Sequence, residues 1–182
     1  FGTPEAGYSV RKLGSVTKCI RVRRSNDNAE QDIGFDSNGD LDESALTTFT
    51  GANDGFVTTW YDQSGNSNDA TQATAGSQPK IVSSGSVIKE NSIPALEFDG
   101  SDDELEDSIV SIDSTAYSAY MVANTTGNGL RSLFRNRELG GYGTEEGPSF
   151  FEQNSDDTLQ NTFIDDGSGN AIGIQDDVIF VA

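Results

Sequence analysis

Apolar and polar residues alternate along several short segments of this chain. Residues 19–24 and 31–35 each place aliphatic or aromatic side chains at every second position, with charged side chains between them. A period of two predicts β-strands. The polar residues 25–28 that separate the two segments predict a turn, so we expect a β-hairpin with one solvent-facing side.

The arginines of this hairpin form the main basic cluster of the sequence. On the solvent-facing side, Arg21 and Arg23 are expected to pair with Glu30 and Asp32 across the two strands. Each such pair contributes only about 0.2–1 kcal/mol when exposed. The alternative is that the arginines bind acidic sugars.

Further short apolar runs recur along the whole chain, separated by turns rich in Gly, Asn and Asp. They are residues 56–61, 80–82, 87–88, 96–98, 117–123, 130–135, 149–153, 162–164, 171–174 and 178–181. This spacing is typical of an antiparallel β-sandwich, and the run at 117–123, apolar on both faces, is typical of a central strand. We therefore predict a mainly β protein in which residues 1–182 form a single sandwich domain.

Two segments near the N-terminus predict short helices instead. Residues 4–13 carry apolar side chains at helical spacing and are followed by Gly14. Residues 43–50 follow Asp42, whose carboxylate can cap a helix, and they end at Gly51. We expect both helices to pack on a sheet.

The loop before the second helix carries oxygen ligands at alternate positions, Asp36, Asn38 and Asp40. Such ligands suit Ca²⁺, which takes six to eight oxygens. An EF-hand loop would need glycine at its sixth position and glutamate at its twelfth, where this chain has Leu41 and Thr47. We therefore expect no cofactor, and calcium at this loop is the alternative.

A strand leads into an unusual polar loop near residue 60. Trp60 lies on an apolar strand face, and the carboxylate of Asp62 can accept hydrogen bonds from backbone N–H groups of the loop in an Asx turn. Gly65 is free to adopt a positive φ there. We interpret Trp60, Asp62, Gly65 and Asn66 as a structural corner; the alternative is that the loop presents Asp62 to a ligand.

The composition excludes several classes of function. The chain has 30 acidic and 11 basic residues among 182, a net charge of −19, and the excess is greater after residue 90. Such a surface repels phosphate backbones, so we expect no nucleic-acid partner. No apolar run approaches 18 residues, which argues against membrane insertion.

The types of reactive side chain in the sequence exclude further classes of function. The chain contains no histidine, which excludes Ser–His–Asp and Cys–His catalysis and any His-ligated metal. Its single cysteine, Cys19, cannot form an internal disulfide and is expected to be a small buried hydrophobe. Glycoside hydrolysis, which needs only two carboxylates, stays open.

Three segments carry a resemblance to a known family. WYDQSGNSNDATQ at residues 60–72, QPKIV at 78–82 and PALEFDGSDD at 94–103 resemble the concanavalin A-like jelly-roll domain of the α-L-arabinofuranosidase B family. They resemble still more the noncatalytic relatives of that domain in bacterial surface proteins and phage virion proteins. The resemblance covers about residues 5–125, and it implies a concanavalin A-like jelly-roll sandwich.

The resemblance supports two different functions. The fungal enzymes of the family have disulfides that this chain lacks, and we assign no catalytic residue, since Glu152 is only a loose counterpart of their glutamate. We therefore expect a noncatalytic adhesion or structural module of a phage virion or microbial surface, such as a fibre, decoration or glycan-binding component. The alternative is an arabinofuranosidase-like hydrolase acting through two carboxylates, of which Glu152 is the first candidate.

The noncatalytic interpretation carries expectations about location and partners. It predicts a virion, extracellular or cell-surface protein that forms oligomers and contacts other structural proteins of the same particle, with a cell-surface glycan as ligand. An aromatic platform with polar neighbours would bind such a glycan, and the candidates are Tyr142, Arg135, Asn136 and Arg137. The alternative is that these residues form a solvated loop. We also expect a piece of a longer chain, since residues 178–182 form a strand-like run with no closing turn.

Overall fold

A computed structural model of the chain describes residues 4–107 and 121–124, together with the backbone pairing of five later strands. The chain divides into two compact units, Phe1–Ser108 and Ile109–Ala182. Most of the predicted strand at 117–123, and all of that at 178–181, lie outside the described residues. The prediction of a single domain stays a prediction.

The first unit is built on a six-stranded antiparallel sheet. Its strands are β1 (Lys18–Arg24), β2 (Glu30–Gly34), β3 (Gly55–Trp60), β4 (Ala70–Thr71), β5 (Lys80–Ser83) and β6 (Ser86–Val87). They run in the order β2-β1-β3-β5-β6, and β4 also pairs with β3. A separate small hairpin joins β7 (Lys89–Glu90) to β8 (Ile93–Pro94), and a 3-10 turn spans Ala75–Ser77. The prediction of a mainly β protein is confirmed.

One face of this sheet carries the hydrophobic core. Ile20 of β1 lies opposite Ile33 of β2, and Val22 lies opposite Val57 of β3, so aliphatic side chains share a face across three strands. All four are fully buried. Cys19 is fully buried too, as expected, and its burial raises the pKa of the thiol to about 12.

A single helix among the described residues, α1 (Glu43–Thr50), packs on the core through the fully buried Leu46. The Asp42 carboxylate accepts a hydrogen bond from the Ala45 N–H at 2.9 Å, and Gly51, at φ 58°, ends the helix. The prediction of this helix is confirmed at both ends. No helix in the described part of the chain is long and apolar enough to cross a membrane.

The predicted helix at residues 4–13 is wrong. This segment, the N-terminal arm, is extended and irregular, and its backbone bonds to other parts of the unit. Leu41 N–H donates to Val10 O at 2.9 Å, and Lys12 N–H donates to Gly39 O at 2.7 Å. These external partners take the place of helical hydrogen bonds, so no helix forms in spite of the helical spacing of the apolar residues. Without a helix there is no common apolar face, and Leu13 is 62% exposed.

The predicted strand at residues 96–98 is reduced to an isolated bridge between Glu97 and Lys80. The prediction that Phe98 is buried is wrong, since it is 45% exposed. The chain turns directly afterwards, where Asp99 accepts a hydrogen bond from the Ser101 N–H at 2.7 Å. This early turn leaves too few residues for a strand with a buried face.

The second unit contains the later strands, which pair in two antiparallel groups. β9 (Arg131–Arg135), β10 (Ser149–Gln153) and β11 (Leu159–Gln160) form one sheet, and β12 (Ile164–Asp165) pairs with β13 (Ala171–Ile172). The predicted strands at 130–135 and 149–153 are confirmed. Those at 162–164 and 171–174 overlap shorter observed strands, and β11 was not predicted.

Candidate functional site

The corner that follows β3 is organised by the carboxylate of Asp62. It accepts hydrogen bonds from the N–H groups of Gly7, Ser64 and Asn68 at 2.9, 2.8 and 3.1 Å, and from the Ser64 hydroxyl at 2.6 Å. Asp62 is only 5% exposed. Its own N–H donates to Asp69 Oδ1 at 2.9 Å.

These hydrogen bonds also set the ionisation of the corner. Burial raises the pKa of the Asp62 carboxyl, but the hydrogen bonds from Ser64, Gly7 and Asn68 outweigh it and hold the pKa below its usual value. The group is therefore an anion at neutral pH. A carboxylate with a lowered pKa and four donors is a structural acceptor and a poor general acid.

Three amide side chains of the corner hold the N-terminal arm in place. Gln63 accepts from the Leu13 N–H at 2.8 Å and donates to Ser9 O at 2.7 Å. Asn66 and Asn68 both donate to Glu5 O, at 2.9 and 2.8 Å. Sequence reasoning missed this role, because the arm and the corner lie 50 or more residues apart.

Gly65 and Trp60 are the other two residues of the predicted corner. Gly65 has φ 97°, which a side chain would strain. Trp60 is partly buried against the core, and its ring centroid lies 5.9 Å from that of Tyr8. Its Nε1–H is buried and has no hydrogen-bond partner among the described residues. The Tyr8 hydroxyl in turn donates to Asp107 at 2.9 Å and to Asn68 O. The corner thus joins three distant parts of the first unit.

The solvent-facing side of the sheet carries the second polar group, which includes the predicted arginine pairs. Arg21 donates to Glu30 at 2.7 Å and to Asp32 at 2.9 Å, as predicted. Asp32 also accepts from Lys18 and from the Tyr61 hydroxyl, each at 2.7 Å. Burial raises the pKa of the Asp32 carboxyl, and these donors outweigh it and lower the pKa overall.

The predicted pairing of Arg23 with an acidic residue is wrong. Arg23 donates to Gln78 Oε1 at 2.7 Å, to Asn28 Oδ1 at 3.0 Å and to Ala75 O at 3.1 Å, all uncharged acceptors. It also lies 4.8 Å from the Phe56 ring centroid. The reason is geometric, since Glu30, its opposite on β2, turns its carboxylate to Arg21.

Two concave regions open on the first unit. The smaller, of about 290 Å³, lies on the solvent-facing side of the sheet and is lined by Arg21, Glu30, Thr58, Thr59, Thr71, Gln72 and Gln78. The larger, of about 650 Å³, lies between α1 and the first hairpin and is lined by Arg24, Gln31, Asp42, Ser44, Thr48 and Phe49. Both are shallow, and sequence reasoning found neither, because each combines residues from separate elements.

The loop considered for calcium is a self-bonded turn. Asp36 Oδ1 accepts from the N–H groups of Asn38 and Asp40 at 2.8 and 3.0 Å, and these bonds lower the pKa of the Asp36 carboxyl. Asp40 pairs with Arg11 at 2.9 Å. The carboxylates of this loop thus already have partners within the chain.

A group of three carboxylates forms at the other end of the unit. Oxygens of Asp99, Asp102 and Asp103 lie within 4.8 Å of one another, and Asp99 and Asp102 are exposed. Burial is the main cause that raises the pKa of Asp103. Oxygen ligands of this kind suit hard cations, but exposed acidic groups often lie together without one.

The remaining predicted site residues belong to the second unit. Tyr142, Asn136 and Arg137 lie outside the described residues. Arg135 is the last residue of β9, and Glu152 on β10 pairs with Ser132 on one side and Gln160 on the other. The glycan-binding role of Tyr142, Arg135, Asn136 and Arg137 stays a prediction.

Comparison with known proteins identifies one family. The model of the catalytic domain of alpha-L-arabinofuranosidase B matches residues 6–132. A crystal structure of an arabinofuranosidase complexed with arabinofuranosyl-alpha-1,2-xylobiose is 27% identical over 42% of this chain, with a TM-score of 0.38. A GH54 α-L-arabinofuranosidase soaked with a cyclic sulfate inhibitor is 26% identical over 42% of this chain, with a TM-score of 0.36. The match spans 19% of each of those two chains. No curated protein sequence matches significantly.

The family match overturns one expectation from the sequence. The expected noncatalytic module of a phage virion or microbial surface is wrong, because the family whose model matches residues 6–132 is a catalytic domain. The missing disulfides and histidines misled that interpretation. Disulfides stabilise a fold without performing its chemistry, and hydrolysis by carboxylates needs neither residue. The expected oligomer, glycan partner and extracellular location stay predictions.

Proposed function

This chain belongs to the family of α-L-arabinofuranosidase B catalytic domains, and from that premise we propose that it is part of a glycoside hydrolase that cleaves α-L-arabinofuranosides. The observation that carries the proposal is the family match over residues 6–132 of the 182. We further propose that the sheet of the first unit is part of a concanavalin A-like jelly roll. The antiparallel order of its strands supports this architecture.

Hydrolysis of a glycoside needs two carboxyl groups and no other type of reactive side chain. A retaining enzyme has them about 5–5.5 Å apart, and an inverting enzyme about 6.5–9.5 Å apart. One must donate a proton, which requires a raised pKa, and the other must stay ionised. A chain without histidine is fully compatible with this mechanism.

Several carboxylates of the first unit are poor candidates for that pair. The Asp62 carboxylate accepts from the four donors described above. The Asp32 carboxylate accepts from Lys18, Arg21 and Tyr61. The Asp54 carboxylate accepts from the Ser84 N–H at 2.7 Å and pairs with Lys80 at 3.2 Å. The pKa of each is lowered. A lowered pKa makes each of them a poor proton donor, and because both oxygens of each already accept from donors of the chain, none is well placed to act as the ionised partner. We therefore assign these three to the fold and propose Glu152, on β10, as the first catalytic candidate.

The test is hydrolysis of an aryl α-L-arabinofuranoside by the full protein, beside a panel of other aryl glycosides. We expect turnover of the arabinofuranoside, and a fall in kcat of about 10²–10⁴-fold in Glu152→Gln if Glu152 is the acid. Glu97→Gln, a change at an exposed glutamate of the first unit, is the control and should leave kcat unchanged. A folded protein that hydrolyses none of the glycosides would refute the proposed function. Full activity in Glu152→Gln would refute only the residue assignment.

A further inference from the structure

We propose that the smaller concave region, the Thr59 pocket, binds one uncharged sugar unit of a polysaccharide. The pocket is defined by Arg21, Thr59, Thr71, Gln72 and Gln78. The identity of the ligand as a saccharide rests on the proposed function. The position and polarity of the pocket rest on the geometry of the sheet.

A row of polar side chains across three adjacent strands forms the floor of the pocket. Arg21 of β1 lies opposite Thr59 of β3, and Thr59 lies opposite Thr71 of β4. Directly opposed residues of antiparallel strands project from the same face. The row therefore presents a guanidinium and two hydroxyls side by side on a rigid support.

The charges in the pocket are already balanced, which disfavours an ionic ligand. Arg21 is neutralised by Glu30 and Asp32. Gln78 is 4% exposed, donates to Gln72 O at 2.9 Å and accepts from Arg23 at 2.7 Å, so its carboxamide is fixed. What the pocket offers to a ligand is a set of oriented, mostly uncharged polar groups, as the hydroxyls of a sugar require.

The Thr59 hydroxyl is the group that the fold leaves unused. Thr58 and Thr71 donate weakly to carbonyl oxygens at 3.4 and 3.5 Å, whereas the Thr59 hydroxyl has no hydrogen bond within the described part of the chain. It lies at the centre of the row and is only partly exposed. The volume of about 290 Å³ is at the lower limit for small-molecule pockets, which suits a single ring.

The test compares binding to soluble arabinoxylan, by affinity electrophoresis, in the full protein and in Thr59→Val. The substitution removes the hydroxyl and keeps the β-branched shape, so the strand should be retained. We expect about 3- to 10-fold weaker retention by the polymer, as for the loss of one or two hydrogen bonds. Thr59→Ser, which restores the hydroxyl, should bind as the parent protein does. Thr17→Val, at an exposed threonine that lines neither concave region, is the control and should also bind normally.

Hydrolysis of the aryl arabinofuranoside separates this proposal from the proposed function. That substrate has a single sugar ring, which must lie at the catalytic carboxyl groups to react, so Thr59→Val should keep the parent kcat/KM on it. Absence of binding by the parent protein, equal binding by Thr59→Val, or an equal loss in Thr17→Val would overturn the pocket assignment. Absence of turnover with binding retained would instead refute the hydrolase and leave a binding site. A Thr59→Val protein that fails to fold would be replaced in the comparison by Thr59→Ala.

Discussion

Asp62 shows how much of this fold depends on one side chain. Its carboxylate satisfies three backbone N–H groups and one hydroxyl, and one of those N–H groups, that of Gly7, lies 55 residues away. Hydrogen bonds to a charged acceptor are stronger than neutral ones, and removing the acceptor leaves the donors buried without a partner. The residue therefore links the local turn to the N-terminal arm.

We predict that Asp62→Ala lowers the free energy of unfolding by about 3 kcal/mol, because several donors lose a charged acceptor at once. Chemical denaturation monitored by circular dichroism measures the change. Asn66→Ala, in the same loop but at an exposed side chain, should cost less than about 1 kcal/mol. Similar losses in the two variants would contradict the central role of the carboxylate.

The same residue predicts a dependence of stability on pH. The pKa of Asp62 is lowered in the folded protein, so its contribution is fully present above the unfolded-state pKa of about 4 and is lost as the pH falls through the folded-state value. The melting temperature should therefore fall less steeply below pH 4 in Asp62→Asn than in the parent protein. Parallel curves for the two proteins would show that the carboxyl has the same pKa in both states.

Trp60 provides a second prediction at the residue scale. Its ring packs on the core and on Tyr8, but its buried Nε1–H has no acceptor in the part of the chain that the structure describes. Trp60→Ala should cost about 3 kcal/mol, because it leaves a cavity. Trp60→Phe, which keeps an aromatic ring and removes the unpaired N–H, should cost less than about 1.5 kcal/mol. Easy quenching of Trp60 fluorescence by acrylamide in the folded parent would contradict this packing.

At the scale of elements, close approaches of the backbone position the strands. A Cβ at Gly34, the last residue of β2, would lie 2.6 Å from Thr17 O, closer than any real contact allows. One at Gly76, in the 3-10 turn, would have no atom within 4 Å. The pairing of β1 and β2 therefore requires glycine at position 34, whereas the turn does not require glycine at position 76.

Alanine at these two glycines should therefore have opposite outcomes. Gly34→Ala should destabilise the protein by about 1–3 kcal/mol, since a backbone atom must move. Gly76→Ala should leave stability unchanged or raise it by up to about 1 kcal/mol, because alanine restricts the unfolded chain. Thermal melts of both variants test this. A stable Gly34→Ala protein would mean that β2 can shift without cost.

For the molecule as a whole, repulsion between acidic side chains is the main electrostatic effect on stability. A net charge of −19 on 182 residues places like charges near one another over the surface. The first unit offsets part of this with its ion pairs, such as Lys18 with Asp32 and Arg11 with Asp40. Self-repulsion destabilises a compact state, and salt screens it over a Debye length of about 10 Å at 0.1 M.

The melting temperature at pH 7 should accordingly rise when sodium chloride is increased from about 10 mM to about 0.5 M. The increase should shrink near pH 4, because the sequence pI is about 4.1 and the net charge is small there. A melting temperature that falls with salt at pH 7 would show that the exposed ion pairs outweigh the repulsion between the acidic side chains.

Elements whose causes are local could be predicted from the residue pattern. The period of two predicted the hairpin of β1 and β2, and the capping carboxylate of Asp42 with Gly51 predicted α1 at both its ends. The motif residues around Trp60 and Asp62 identified the family. Side-chain alternation, caps and positive φ angles depend on neighbours in the chain, so a pattern of residues is enough to read them.

Contacts between distant parts of the chain set the partners that the remaining polar groups take. They make the N-terminal arm extended instead of helical, because Asp62 and Gln63 satisfy its backbone from 50 or more residues away. They also turn Arg23 to Gln78 instead of to an acidic residue, and they bring Thr59 and Thr71 together. Such choices depend on strand register and on competition between acceptors, neither of which local sequence contains.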